Sequence, residues 1–334
     1  MQQKKVKILV EGTRARYEKF LPQDAPLDRV ELAFCGRGSS NAELLAAGGD
    51  AQILCVDAIS LVDAALIAKM PNLRLIHSEG VAFNCIDLAA AKKRGIYVCN
   101  CKGCNADAVA EQTVMLILEL LRHGLTGDAA VRAGRQMEMK ERLMVEGITE
   151  LGECSVGLIG FGDIAKAAAA RLHPFGCELF YYAPHRKDPE TELEYHVSYL
   201  ELEELAARCD IVSIHTAVTE QTRGMINRDF LARMKPNALL INTARGEIVD
   251  NLALRKALSE GKILGAGLDT LAPEPTPADH PLVDLPEGVR DRVVLAPHLG
   301  GITTGSFRRA HRSMWGNIAA VLDGSRPVNI VNGL

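Results

Sequence analysis

The sequence predicts an α/β protein built as two doubly wound units. Short apolar, β-branched runs alternate with helical patterns from end to end, the signature of parallel sheets with crossover helices. The 334 residues, 48% of them hydrophobic, are enough for more than one core. Near mid-chain a glycine-rich turn joins an apolar run to an Ala-rich helical pattern, where a dinucleotide-binding sheet would begin.

In chain order, the first strand runs are VKILV, VELAF, QILCV, LRLIH and IYVCN, all within the first hundred residues. Residues 105–124, NADAVAEQTVMLILELLRHG, hold no interior Gly or Pro and read as one long bridging helix that stops at Gly124. The second set of strand runs is CSVGLIG, CELFYY, DIVSIH, NALLIN, ILGAGLD and RVVLAP. The Pro-rich stretch 271–288 is short enough to be a rigid, ordered loop. A helix over Ser306–Leu322 and an extended tail, RPVNIVNGL, close the chain, which therefore leaves the first unit, builds the second and returns.

The turn lies in GLIGFGDIAKAAAARL, residues 157–172, and carries G-x-G-x-x-A at Gly160, Gly162 and Ala165. Gly160 permits the tight turn, Gly162 removes the Cβ that would collide with a pyrophosphate, and Ala165 lets the helix pack on its strand. Free N–H groups at the helix start would face the phosphates. Such a triplet can also be Gly-rich for steric reasons alone, and it is the flanking strand, helix and strand that favour a dinucleotide. Asp163, an acid in this loop, reads as a helix cap turned away from the phosphates.

Three later segments end apolar strands with polar residues: LLINTARGEIVD, GAGLDTLAPEP and VVLAPHLGG. Ligands bind at the carboxyl ends of strands in such sheets, so Arg245, Glu274 and His298 are expected to converge. Together with GVAFNCID, NADAVAEQT, GLIGFGDIA and HTAVTEQTRGMIN, these segments resemble, over nearly the whole chain, the D-isomer-specific 2-hydroxyacid dehydrogenase family. That family includes glyoxylate and hydroxypyruvate reductases and phosphoglycerate dehydrogenases. The resemblance implies two Rossmann-like domains, a nucleotide-binding domain at 105–299 inserted into a flavodoxin-like substrate domain at 1–104 and 300–334. It also implies hydride transfer between NAD(P)H and a small 2-oxo or D-2-hydroxy acid, in a homodimer. Carried onto this chain, the catalytic residues are Arg245, Glu274 and His298, and Val81 and Ala82 join Arg245 and His298 in holding the substrate. Cofactor contacts fall at Gly160, Gly162, Asp163, Ile164, Ala183, His185, Arg186, His215, Thr243, Ala244, Asp269 and Gly300.

The chemistry of these residue types agrees. Reducing a 2-oxo acid needs a cation for the carboxylate, a proton donor beside the carbonyl oxygen and a hydride source on the opposite face. Arg245 offers a planar fork for the carboxylate. His298 can donate the proton, and Glu274 bonded to that imidazole would fix its tautomer and stabilise its charged form. Each also has an ordinary structural reading: Arg245 as a helix cap or a partner of Glu247, His298 as a loop histidine, Glu274 as a solvated acid between prolines, Asp269 as a turn cap. His215 reads as cofactor-site lining and not as an acid. In family order behind a dinucleotide loop, the catalytic reading is preferred.

Several departures refine the expectation. Ala183 stands where NAD-binding relatives carry an acid for the ribose, and His185, Arg186 and Lys187 follow it, so NADP(H) is favoured over NAD(H), with Arg186 as the phosphate ligand. Ser78 and Glu79 replace basic residues near the substrate loop, which disfavours a phosphorylated substrate and leaves a hydroxypyruvate or glyoxylate type. Phe83 either narrows the pocket or belongs to the core. Cys101 and Cys104 in CKGC form a redox pair, half a zinc site, or two small reduced side chains in a tight hinge; the last is preferred, and no metal is expected.

The net charge of −4 leaves no basic face for nucleic acid or polybasic stripe for a membrane. No apolar run is long enough to span one, the N-terminal run is too short for a signal, and nine dispersed Cys argue against a disulfide framework, so a cytoplasmic protein is expected. The rival function is a non-catalytic, dinucleotide-sensing corepressor of the same fold.

Overall fold

The computed structural model describes residues 5–58 and 60–334. The expectation of no signal at the extreme N-terminus falls partly on residues 1–4, which lie outside the described residues. The chain divides into two compact units, Met1–Asn105 with Thr303–Leu334, and Ala106–Ile302.

The first unit holds strands β1 (Val6–Glu11), β2 (Val30–Cys35), β3 (Ile53–Val56), β4 (Leu75–Ser78) and β5 (Tyr97–Cys99). Their order is β2-β1-β3-β4-β5, all parallel, the doubly wound flavodoxin-like arrangement. Strand alternation sorts the side chains onto two faces. Leu9, Leu54, Val56, Ile76 and Val98 enter one core with Leu66 and Ile67. Ile8, Val10, Ile53, Cys55 and Leu75 enter the other, against Met314, Trp315 and Ile318 of the helix Thr304–Leu322. Thr303 caps that helix by accepting from Ser306 N at 3.0 Å. The tail returns as expected: Val331 N donates to Val98 O at 2.8 Å, beside an antiparallel bridge between Cys99 and Ile330.

The second unit holds β6 (Ser155–Ile159), β7 (Glu178–Tyr182), β8 (Val197–Tyr199), β9 (Ile211–Ile214), β10 (Leu239–Asn242), β11 (Gly265–Leu268) and β12 (Val293–Leu295). They form a parallel sheet ordered β12-β11-β10-β9-β6-β7-β8. Strand order reverses between β6 and β9, the crevice where such sheets bind ligands. β8 is an edge strand of three residues with only Val197 buried, too short to leave an alternation in the sequence.

The bridging helix is shorter than expected. It runs Ala106–Leu121 and packs Ala110, Leu116 and Ile117 into the core shared with Ala165, Ala168 and Ala169. Gly124 does not stop it: Gly124 opens the next helix, Gly124–Arg132, and the left-handed residue at the break is His123, φ 54°. A third helix, Gln136–Glu146, follows. Among the described residues no helix is long and apolar enough to cross a membrane.

Candidate active site

The glycine loop leaves β6 between its two neighbouring strands. Gly160 N donates to Tyr182 O at 2.8 Å and His215 N to Ile159 O at 2.7 Å, which pins the turn on both sides. Gly160 has φ +92°, and a Cβ there would lie 2.6 Å from His215 O, so neither the dihedral nor the space admits another residue. Gly162 is the N-cap of the helix Asp163–Leu172, and a Cβ on it would meet nothing within 4 Å, leaving open space ahead of the helix. The first intrahelical bond is Lys166 N to Gly162 O, so the N–H groups of Asp163, Ile164 and Ala165 have no intrahelical acceptor. Donors facing open space at a helix start fit a pyrophosphate. Asp163 is not the cap: it is the first helical residue, exposed, with no capping bond.

At the tip of β7, Ala183 is 5% exposed and brings no acid. Arg186 is not the free cation the sequence suggested. Its Nε and Nη2 each donate to Glu192 at 2.8 Å, and Glu192 also accepts from Tyr181 Oη at 2.8 Å. Lys187 N donates to the same tyrosine hydroxyl at 2.8 Å, so the loop is folded around one carboxylate. His185 is exposed beside it.

Beyond β10, Asn242 shapes the turn carrying Arg245. Its Oδ1 accepts from Ala244 N at 3.0 Å and its Nδ2 donates to Arg245 O at 2.9 Å. Thr243 is buried and its hydroxyl meets that of Thr113 at 3.0 Å. Arg245 is exposed, with Nη1 donating to Ala244 O at 2.7 Å; among the described residues no carboxylate pairs with it, Glu247 included.

His298 follows β12 in a left-handed conformation, φ 55°, uncommon for a side chain of its size and held here by its surroundings. His298 N donates to Asp269 O at 2.9 Å. The buried Asp269 carboxylate accepts from Leu299 N and Gly300 N, each at 2.9 Å, and from Gln112 Nε2 at 3.3 Å. Asp269 is thus a loop-holding residue, with both oxygens engaged by the segment that carries His298. On the other side, His298 Nδ1 lies 2.7 Å from Glu274 Oε1. A carboxylate can only accept, so Nδ1 carries the proton, and Nε2 is left to exchange one with a ligand.

His215 bonds Ser213 Oγ through Nε2 at 2.9 Å, while its buried Nδ1 has no partner among the described residues. Burial pushes its pKa down to about 4, which favours the neutral ring. Gln112, Thr113 and Asn242 are supporting residues that the sequence reading did not single out. The only signal was polar side chains inside an otherwise apolar helix and at a strand end.

Val81 and Ala82 lie in the first unit, on the loop after β4. Ser78 Oγ donates to Ala82 O at 2.7 Å, Asn100 Nδ2 to Val81 O at 2.6 Å and Cys101 N to Gly80 O at 2.8 Å. The loop's carbonyls are thus anchored, and among the described residues the Val81 and Ala82 N–H groups have no acceptor. Phe83 packs against the core. Glu79 is 8% exposed and ion-paired with Arg16, so the repulsion it was expected to exert on a phosphate is largely neutralised.

Burial raises the Glu79 pKa to about 7 despite Arg16. The folded state keeps that proton up to about pH 7 while the unfolded chain releases it near 4.5, so this group's contribution to stability falls as pH rises between those values. Glu79→Gln removes the decline. Urea unfolding on either side of the window is expected to show the variant gaining up to about 3 kcal/mol on the parent at the higher pH. A stability difference independent of pH would refute the assignment.

With this geometry in place, comparison with known proteins is direct. Residues 114–300 match the family profile described as D-isomer specific 2-hydroxyacid dehydrogenase, NAD binding domain. The chain is 40% identical over 294 residues to a glyoxylate reductase of Thermofilum pendens, covering 88% of this chain and 85% of that one. It is 33% identical over 305 residues to a D-3-phosphoglycerate dehydrogenase of Mycobacterium leprae, covering 91% of this chain but 55% of that one. Among solved structures, the NAD-complexed D-isomer specific 2-hydroxyacid dehydrogenase of Lactobacillus delbrueckii ssp. bulgaricus superposes with a TM-score of 0.81 at 28% identity, over 98% of this chain and 100% of that one.

Proposed function

Since the chain belongs to the D-isomer-specific 2-hydroxyacid dehydrogenase family, we propose that Arg245, Glu274 and His298 form its catalytic set, acting on a glyoxylate- or hydroxypyruvate-type acid. The chain is a nicotinamide-dependent oxidoreductase that interconverts 2-oxo and D-2-hydroxy acids, and its relatives do not favour the corepressor alternative. The observation that carries the proposal is the 2.7 Å contact between His298 Nδ1 and Glu274 Oε1 on loops that follow adjacent strands.

A nicotinamide cofactor held at the glycine loop would supply or accept the hydride. Arg245 grips the substrate carboxylate through its fork. In reduction the His298 imidazolium gives the Nε2 proton to the carbonyl oxygen as it becomes an alkoxide, and in oxidation neutral His298 takes it back. Glu274 accepts from Nδ1, keeps that proton in place and compensates the imidazolium charge. Asp269 and Gly300 fix the loop, while Gly160, Gly162 and Ile164 cradle phosphates. The unpaired Val81 and Ala82 amides are carboxylate donors of the substrate domain, 1–104 with 300–334, and 105–299 is the nucleotide domain. Turnover of a panel of 2-oxo acids, read as nicotinamide absorbance, tests this reading. Glyoxylate or hydroxypyruvate is expected to exceed phosphohydroxypyruvate, and cofactor binding with no turnover of any acid would sink it.

NADPH is the proposed preferred cofactor, in a cytoplasmic setting. Ala183 neither bonds a ribose hydroxyl nor repels a 2′-phosphate, and Arg186 keeps Nη1 outside its pair with Glu192. Ala183→Asp is expected to shift the ratio of kcat/KM for NADPH over NADH toward NADH by tenfold or more, about 1.4 kcal/mol. A parent enzyme that already favours NADH would overturn this preference. The helices Gly124–Arg132 and Gln136–Glu146 expose Leu125, Val131, Met137, Met144 and Val145, Val131 and Met144 also line a groove of about 630 Å³, and a second copy of the chain is proposed to cover this face in a homodimer. Sedimentation of Val145→Lys is expected to show monomers.

A further inference from the structure

The CKGC segment has a geometry that the reaction does not use. Cys104 N donates to Cys101 O at 3.1 Å and Gly103 has φ +77°, so residues 101–104 form a hydrogen-bonded turn of the type that needs glycine at its third position. Turns of this kind bring the first and fourth Cα atoms within about 7 Å, inside the range a disulfide spans. The two cysteines differ in environment. Cys101 is 1% exposed, its sulfur 3.4 Å from Ser78 O and 3.6 Å from Ala310 O, either of which can accept its one S–H. Cys104 is half-buried, and Arg309 Nε donates to its carbonyl at 2.8 Å.

The Cys101 thiol, the Ser313 hydroxyl and the Arg309 guanidinium all stabilise a thiolate at Cys104, while Cys101 is pushed the other way. Burial also raises Cys55, Cys99, Cys154, Cys177 and Cys209, which makes them unreactive core thiols. Among the described residues no group of three metal-ligating side chains includes the pair, so half a zinc site goes uncompleted. The turn anchors the substrate-loop candidate through Cys101 N to Gly80 O, and Asn100 just before it adds Nδ2 to Val81 O.

We propose that Cys101 and Cys104 are a peroxide-oxidisable dithiol whose closure to a disulfide acts on the Gly80–Ala82 loop. The Cys104 thiolate attacks one peroxide oxygen, the O–O bond breaks, and the departing hydroxide takes a proton to leave as water, giving a sulfenic acid. Cys101 sulfur then attacks Cys104 sulfur, and its proton leaves with the displaced hydroxyl as a second water. Two thiols lose two electrons and two protons, and the peroxide is reduced to two waters. Closure removes the single S–H of Cys101, and with it the hydrogen bond open to the backbone carbonyl of Ser78, the residue whose hydroxyl holds Ala82. A thiol reductant reverses the step by exchange, as intracellular redox-sensing pairs do.

The chemistry is independent of the catalytic reading, whereas the loop effect rests on Val81 and Ala82 holding substrate. The full-length protein is treated with limiting hydrogen peroxide, then alkylated and digested. The expected result is a peptide lighter by two hydrogen atoms that links Cys101 to Cys104, lost on adding dithiothreitol. Cys101→Ser is expected to stop at a sulfenic acid on Cys104, trapped by dimedone, and Cys104→Ser to form neither product. A disulfide elsewhere, or oxidation confined to the exposed Cys85, overturns the dithiol. In the same samples KM for the 2-oxo acid is expected to rise about threefold or more on oxidation of the parent and to stay put in Cys104→Ser. An unchanged KM in protein shown by mass to be disulfide-bonded overturns the coupling and leaves the catalytic proposal intact.

Discussion

Replacing His298 with alanine is expected to lower kcat by about 10²- to 10⁴-fold with little change in cofactor affinity, the usual worth of a positioned general acid. The imidazole meets three conditions at once. Its Nδ1 is tied to Glu274 at 2.7 Å, its ring is 40% exposed and so open to a ligand, and its backbone is held in a left-handed turn by Asp269. Among the described residues its hydrogen bonds go to Glu274 and Asp269 and not to the phosphate loop, so cofactor binding should survive. Glu274→Gln keeps a hydrogen-bonding side chain but removes the charge opposite the imidazolium, and its loss should be smaller than that of His298→Ala. Steady-state kcat beside a cofactor titration checks both. Near-normal kcat in His298→Ala would take the residue out of the reaction.

How much of this was legible in the sequence depends on whether the information is local. The strand runs, the glycine turn and the strand-end residues are local, and β1 through β12 apart from the three-residue β8 follow from apolar pattern alone. Partnerships between distant residues are not. Asp269 reads as a strand-end acid until its carboxylate is seen to hold the N–H groups of Leu299 and Gly300 and the amide of Gln112. Arg186 reads as a free cation because nothing marks Glu192, six residues on, as its partner. Glu79 reads as an acid that would repel a phosphate because the cation that pairs with it, Arg16, is far away in sequence. Gly124 misleads for another reason: His123 adopts the left-handed conformation usually left to glycine.

The second large effect is expected at Arg245. Its backbone is extended, φ −148°, between the Asn242-braced turn and a short 3-10 turn, which presents the side chain at the carboxyl end of β10. One Nη1 bond to Ala244 O orients the guanidinium and leaves its remaining donors for a ligand. Two charge-assisted bonds to a carboxylate contribute about 3–4 kcal/mol together, so Arg245→Ala should cost about 10²- to 10³-fold in kcat/KM. The loss should appear in both terms, as a raised KM because the carboxylate is held less well and a lowered kcat because the carbonyl is no longer aligned with its proton donor. Arg245→Lys separates charge from geometry. An ammonium restores the charge but supplies a point contact, so it should recover little of the kcat lost in the alanine variant while partly restoring KM. Parent-like kinetics in Arg245→Lys would mean that charge alone suffices and that the substrate is not gripped in two places.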